Sequence, residues 1–437
     1  MKRNTLVALA SAVLLAGCGG GGGDASSAGC SVAQEQSLLR GYVNDWYLWT
    51  GLAPNPAPDG YATVAAYFDA LKFQGNATIP ADRWSYFQTT ASFNQFFAEG
   101  RSLGYGIFVN GIELTLPLKV RYTEPNSSAG AALQRGDIIV SINGRTSADL
   151  IAANDFSMLT PANEGDQLTL VIDNGNGPRT VVLTARTYDL KPVPLDPTVL
   201  TTAGGTRVGY LVLKDFITQA EAPLAASLAA IRNAGATELI LDLRYNGGGR
   251  VSTAQNLASL IAGGGANTGK VFATLKYNAA HQGSNSVLPF LAQPVAPFAR
   301  VIVLTGSRTC SASELVVNGL KPVANVVTIG GTTCGKPVGF NPTPQCSNTY
   351  SVVTFESVNG AGVGGYYNGL DASCPVAEDF SGALGSPTEK LTAAALGYIT
   401  TGTCPVAGAA PDKTAAAAIR RRAQAGEPGE RRGMWAD

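Results

Sequence analysis

Residues 301–304 read Val-Ile-Val-Leu, a continuous apolar and mostly β-branched run of the kind that forms a strand buried on both faces. Thr305-Gly306-Ser307 breaks the run, and apolar residues return at helical spacing between Ser311 and Leu320. A buried strand that turns directly into a helix needs helices packed over its sheet, which points to an α/β core. The turn also sets a small hydroxyl residue, Ser311, at the positive end of a helix dipole with backbone N–H groups close by. Fixed donors in such a place suit acyl transfer, because charge develops on the carbonyl oxygen under attack. Ser311 is therefore the candidate nucleophile, with Ser313 as its rival.

A serine hydroxyl needs a base. The only histidine, His281, lies in the polar stretch 278–285 and reads as a solvated bystander. A lysine can serve if loss of water lowers its pKa enough to leave the amine neutral. Lys336 follows the apolar run 326–330 and sits in a turn between Gly335 and Pro337. A solvent-facing loop lysine would show the same local pattern.

The stretch Thr309-Cys-Ser-Ala-Ser-Glu314, followed by Gly335-Lys336, resembles the active site of the carboxyl-terminal processing (tail-specific) serine peptidases. These enzymes use a Ser/Lys dyad with the lysine about 25 positions after the serine, and Lys336 stands 25 positions after Ser311. Glu238-Leu-Ile-Leu-Asp-Leu-Arg-Tyr-Asn-Gly-Gly-Gly249 resembles the family's strand ending in Asp-Leu-Arg and a glycine-rich turn. The resemblance covers roughly residues 30 to 400. It implies a Ser311/Lys336 dyad, an oxyanion hole made by the N–H groups of Ala312 and of Gly248 or Gly247, and no metal or organic cofactor. It also implies a core of the crotonase-like ββα type over 205–405. One position departs from the pattern: the best-known members place a glutamine four residues after the lysine, and here Phe340 stands there. Asp242 and Arg244 read as residues ordering the turn. Glu314, in the first turn of the helix, favours its dipole whatever the chemistry.

Met1 to Thr5 is basic, and Leu6 to Ala16 is apolar but too short to span a bilayer. The segment ends Leu15-Ala-Gly-Cys18, which resembles the lipobox of bacterial lipoproteins. Residues 1–18 are thus expected to be a lipoprotein signal, with Cys18 lipidated, and 19–30 a flexible Gly-rich tether. With Gly19 after the cysteine, the resemblance implies a periplasm-facing protein of the outer membrane. Six cysteines remain, an even set that suits disulfides in an oxidising compartment, though spacing cannot choose the pairing. A bridge between Cys310 and Cys334 would pin Ser311 near Lys336. A metal site is disfavoured, since there is no Cys-x-x-Cys pair and a single histidine. Lys+Arg and Asp+Glu are balanced at 31 each, so no nucleic-acid partner is indicated.

Residues 31–100 read as a helical domain dense in aromatics. Ala129-Gly-Ala-Ala-Leu-Gln-Arg-Gly-Asp-Ile-Ile-Val-Ser-Ile-Asn-Gly-Arg145 resembles the PDZ signature, so 101–190 is expected to be a PDZ-like β-rich domain, with strands at 167–173 and 179–186. In such domains a peptide adds to a sheet edge while its carboxylate meets backbone N–H groups. Gly104, Tyr105, Gly106 and Ile107 form the loop that the resemblance assigns to peptide binding. From Val208 onward strands and helices alternate, as in a largely parallel sheet. Residues 408–437 are Ala- and Arg-rich, with little apolar content, and read as a disordered tail. The whole implies a lipid-anchored serine endopeptidase acting on exported proteins or peptides by their C-terminal tails. A non-catalytic peptide-binding lipoprotein is the alternative; a histidine-based esterase lacks Gly-x-Ser-x-Gly.

Overall fold

A computed structural model describes residues 30–405, together with 418–419, 422 and 433–436. The proposed signal and most of the tether, Cys18 included, lie outside the described residues. No helix among the described residues is long and apolar enough to cross a membrane.

Ser31 opens the first helix, Val32–Trp46, in a reciprocal cap: its hydroxyl accepts the Gln34 N–H, and the Gln34 side chain accepts the Ser31 N–H. Two more helices follow, Val64–Leu71 and Thr90–Phe97. The purely helical reading of 31–100 fails at Tyr86–Thr89, which is a strand antiparallel to Asn348–Ser351. Nor does this region have a core to itself. Leu39, Tyr47, Trp49 and Trp84 share one apolar cluster with Phe340, Tyr350 and Val353. Helices of eight residues expose too much apolar surface to stand alone, and strand residues from the later part of the chain cover it. A Cys30–Cys346 disulfide ties the two parts together.

Residues 101–190 hold a separate apolar cluster beneath a six-stranded sheet. Its strands Gln167–Ile172 and Arg179–Thr184 are antiparallel neighbours. Leu168, Leu170 and Ile172 alternate inward, all fully buried, as the two-residue period of a strand requires. Arg308, in the turn that leads to Ser311, grips Glu113 of this unit with both terminal guanidinium nitrogens at 2.7 and 3.1 Å.

The core from 198 onward contains two sheets. The first comprises β1 (Thr198–Thr201), β2 (Arg207–Val212), β3 (Glu238–Asp242), β7 (Arg300–Thr305), β8 (Val326–Gly330) and β11 (Cys374–Pro375), in that spatial order. All neighbours are parallel except the edge pair β1 and β2. Helices α1 (Glu221–Asn233), α2 (Val251–Ala262) and α3 (Ala312–Leu320) cover one face, meeting Leu239, Leu241, Val301 and Val303. Helix α4 (Lys390–Thr401) covers the other, meeting Ile240, Ile302 and Leu304. Burial on both faces explains why β3 and β7 read as unbroken apolar runs.

The second sheet runs β4 (Gly248–Arg250), β12 (Gly433–Trp435), β9 (Val338–Phe340), β10 (Val353–Asn359), β5 (Val271–Tyr277) and β6 (Ser286–Pro289). Strand β12 corrects the reading of 408–437 as a tail without structure. Gly433–Trp435 fills an interior position of this sheet, and Met434 is fully buried. Averaged composition hides it, because Met434 and Trp435 are two large apolar residues in a stretch made mostly of Ala, Gly and charged residues.

Candidate active site

Strand β7 ends at Thr305, and the chain turns over Gly306 to Cys310 to reach Ser311, the N-cap of α3. Ser311 has φ of 61° and ψ of −113°, left-handed backbone for a residue with a side chain. Such a conformation costs of order 1–3 kcal/mol and persists only where its surroundings enforce it. Here the Cys310–Cys334 disulfide, the Cys310 N–H donated to the Asn246 carbonyl at 3.0 Å, and the Leu315 N–H donated to the Ser311 carbonyl at 2.8 Å do so. The bridge is the one that would pin Ser311 near Lys336. Ser311 is fully buried, and its Oγ has no hydrogen-bond partner among the described residues. The rival Ser313 donates its hydroxyl to the Asn246 carbonyl at 3.0 Å, which engages it structurally.

Lys336 follows β8 by way of Gly335, whose φ of +86° and close approach to Tyr367 demand glycine: a Cβ would lie 2.4 Å from the Tyr367 carbonyl oxygen. Lys336 is 2 % exposed, so the reading of a solvent-facing loop lysine does not hold. Its Nζ stands 3.8 Å from the centre of the Phe340 ring. The position that departs from the family pattern thus faces the lysine with an aromatic surface.

Glu314 joins the two. One carboxylate oxygen accepts the backbone N–H of Ser311 at 2.9 Å and of Lys336 at 2.8 Å. The other accepts the Gly335 N–H at 2.8 Å and the Thr333 hydroxyl. Burial pushes this carboxyl above its ordinary range, against the opposing pull of those donors. Sequence reasoning assigned Glu314 to the helix dipole alone. The Ser-x-x-Glu spacing of a capping box was the signal that could have tied it to the Ser311 backbone.

The glycine turn approaches from β3. Asn246 donates its side-chain amide to the Leu213 carbonyl at 3.0 Å and accepts the Gly248 N–H at 2.8 Å. That second bond corrects the assignment of Gly248 to the oxyanion hole, because its N–H is already committed. Gly247 and Ala312 remain; Ala312 opens α3, where the first N–H groups have no intrahelical acceptor. Asp242 and Arg244 order the strand end as expected. Arg244 is buried and bonds Asp242, and both its terminal nitrogens reach Glu389, at 2.6 and 2.9 Å. Burial alone would raise the Glu389 carboxyl, but the Arg244 guanidinium and Thr392 hold it at about 2.

The other sequence assignments are not brought into this cluster. Gly104, Tyr105, Gly106 and Ile107 are all buried within the 101–190 unit. The Tyr105 carbonyl accepts from the Ala129 N–H and the Ser128 hydroxyl, and Gly106 lies against Ser127. His281 stacks on Trp46 at 3.7 Å and shares a hydrogen bond with Asp45 at 2.8 Å, docking the first helix. Cys310, Glu314 and Cys334 present three ligand-type atoms within 4.8 Å of one another, but the two sulfurs are bonded together and offer no thiolate to a metal.

Residues 207–359 match the model of peptidase family S41, and residues 36–86 match that of the peptidase S41 N-terminal domain. A carboxyl-terminal-processing protease of Picosynechococcus sp. is 28% identical over 52% of this chain and 51% of its own length. One from Synechocystis sp. is 29% identical over 55% of each. The chain thus spans about half the length of the curated relatives it matches. Among solved structures, an S41 protease candidate from Bacteroides fragilis superposes with a TM-score of 0.64 at 23% identity, over 84% of this chain and 97% of its own. A photosystem II D1 C-terminal processing protease gives 0.50 at 19% identity, over 79% and 93%. Both likenesses concern the fold. Residues 36–86 and 207–359 are thus similar, in that order along the chain, to the N-terminal and peptidase parts of family S41, with carboxyl-terminal-processing proteases among the relatives.

Proposed function

We propose that this protein is a serine endopeptidase working through a Ser311/Lys336 dyad, lipid-anchored at Cys18 in the bacterial envelope and acting on exported proteins or peptides by their C-terminal tails. The observation that carries the reading is the shared Glu314 oxygen, which holds the backbone of the nucleophile and of the lysine around one carboxylate. Burial favours the neutral amine of Lys336, the form able to accept a proton. The amine takes the Ser311 hydroxyl proton as Oγ bonds to the substrate carbonyl carbon. The N–H groups of Ala312 and Gly247 bind the resulting oxyanion. Collapse breaks the C–N bond, and the lysine returns its proton to the departing amine. Water, deprotonated by the same lysine, then attacks the acyl carbon; the C–Oγ bond breaks, the lysine returns its proton to Ser311 Oγ, and the second product leaves as the acid.

One feature favours a second reading, a peptide-binding lipoprotein without turnover: Phe340 occupies the place where related peptidases put an orienting glutamine. The test is cleavage of an unstructured protein with an apolar C-terminus by wild type, Ser311→Ala and Lys336→Ala across pH. Loss of cleavage in both variants, with the wild-type rate rising as the lysine loses its proton, supports the dyad. Tail binding by all three without any cleavage supports the second reading.

A further inference from the structure

Strand β12 lies between the strand that leaves the glycine turn and the strand that follows Lys336. Gly433, Met434 and Trp435 pair in parallel with Gly248, Gly249 and Arg250 on one side, and Trp435 pairs with Phe340 on the other. The Ala436 N–H donates to the Phe340 carbonyl at 3.0 Å. One neighbouring strand therefore starts in the glycine turn, and the other starts two residues after Lys336. Met434 is fully buried in the cluster that holds Phe216, Ala312 and Phe355. Gly339 makes room for it: a Cβ there would lie 2.8 Å from the Met434 carbonyl oxygen. Trp435 packs edge-on against Phe93 and Phe97, with the Arg250 guanidinium 5.3 Å from its ring centre. Its Nε1 is buried with no hydrogen-bond partner among the described residues, so this occupant leaves a polar group unsatisfied. Ser311 meanwhile has no exposed surface.

We infer that the gap between β4 and β9 is the docking site for an extended peptide strand, with an apolar pocket at the place of Met434, and that the chain's own residues 433–436 hold it until a substrate displaces them. The inference rests on the reading of Ser311 as a peptidase nucleophile. A strand added between two sheet neighbours gains affinity from main-chain hydrogen bonds and selectivity from the pockets under alternate side chains. Gly248 and Gly249 present no side chain to such a strand, and Met434 marks the one position directed into the core. A peptide carrying an unbranched or γ-branched apolar residue there fits; a charged one does not, because the pocket is fully dehydrated.

The experiment uses the full chain with Ser311→Ala, so that nothing is cut, and a fluorescent peptide of the sequence of residues 430–437 as probe. In the chain that also carries Met434→Lys the probe should bind at least tenfold more tightly than in the chain with its own segment intact. The same probe with lysine for methionine should bind neither. Trp435→Ala, which places no charge in the core, is the second variant and should shift affinity the same way. In the chain with an unaltered tail, saturating probe should speed hydrogen exchange at the Ala436 amide, whose acceptor the probe takes over. Equal probe affinity in all forms, with Ala436 protection unchanged at saturation, would overturn the inference. The two readings fail separately. Ser311-dependent cleavage with no effect of either tail variant removes the docking site and keeps the peptidase. Tighter probe binding in the tail variants with no cleavage by any Ser311-containing form keeps the site and removes the peptidase.

Discussion

A single carboxylate oxygen of Glu314 accepts the Lys336 N–H at 2.8 Å from inside the first turn of the helix that Ser311 opens. Lysine and serine thus come from separate loops, 25 positions apart, and are set by one buried acid as well as by the adjoining Cys310–Cys334 bridge.

Replacing that acid by its amide tests the arrangement. Glu314→Gln keeps the volume but turns an NH2 group toward a shell of donors, leaving backbone N–H groups of Ser311, Lys336 or Gly335 unsatisfied. Each buried orphan costs about 1–3 kcal/mol. The expected outcome is a fall in kcat of order a hundredfold with KM little changed, measured on an unstructured substrate. Unchanged kcat would mean that the acid only caps the helix.

Phe340 offers a second handle. Its ring face favours the charged form of the lysine above it, by roughly 1–2 kcal/mol at a desolvated site. Phe340→Leu keeps the site apolar and removes that attraction, so the neutral amine becomes available at lower pH. The acid limb of kcat/KM should move down by about one pH unit. A limb that stays in place would show that the titrating base is another group.

Much of this was legible in sequence, for reasons that also mark where legibility stops. The β7–turn–α3 unit announced itself because a strand buried on both faces must be continuously apolar. Ser311 stood out at the strand-to-helix turn, whereas only the family resemblance singled out Lys336, since a loop lysine shows the same local pattern. The commitment of the Gly248 N–H to Asn246 was not, since it depends on how a turn of three glycines folds onto a side chain two residues back. The N-terminal aromatics looked like a core of their own because sequence cannot say that Tyr350 and Val353 complete it. Strand β12 was lost to composition: Met434 and Trp435 are too few to lift the average of the tail, yet one of them is fully buried.

The Cys310–Cys334 bridge closes a short loop that begins next to Ser311 and ends two residues before Lys336, with a sequence separation of 24. In the chain-entropy account a loop of this size contributes roughly 3 kcal/mol. Cys310→Ala with Cys334→Ala should lower the stability by about that amount in urea unfolding. Activity at a temperature where the variant stays folded should also fall, because the left-handed backbone of Ser311 loses one of its restraints. A variant that is less stable but fully active would confine the bridge to a folding role.

Glu389 gives a prediction in pH. Its carboxyl is held at about 2 by Arg244 although burial acts to raise it, so folding favours the ionised form. A depressed folded value means that the stabilisation is fully present above the ordinary carboxyl range. It is lost as pH falls from about 4.5 towards 2, and amounts to at most about 3 kcal/mol. Glu314 has the opposite sign: its raised carboxyl contributes below the ordinary range and loses its contribution as pH rises through the folded value. Glu389→Gln should therefore lower stability near neutral pH and flatten the acid limb of the unfolding midpoint between pH 4.5 and 2. Glu314→Gln should leave that acid limb steep. The measurement is the thermal midpoint of the three proteins at half-unit pH steps. A Glu389→Gln curve parallel to wild type across the acid range would show that the Arg244 cluster does not govern acid unfolding.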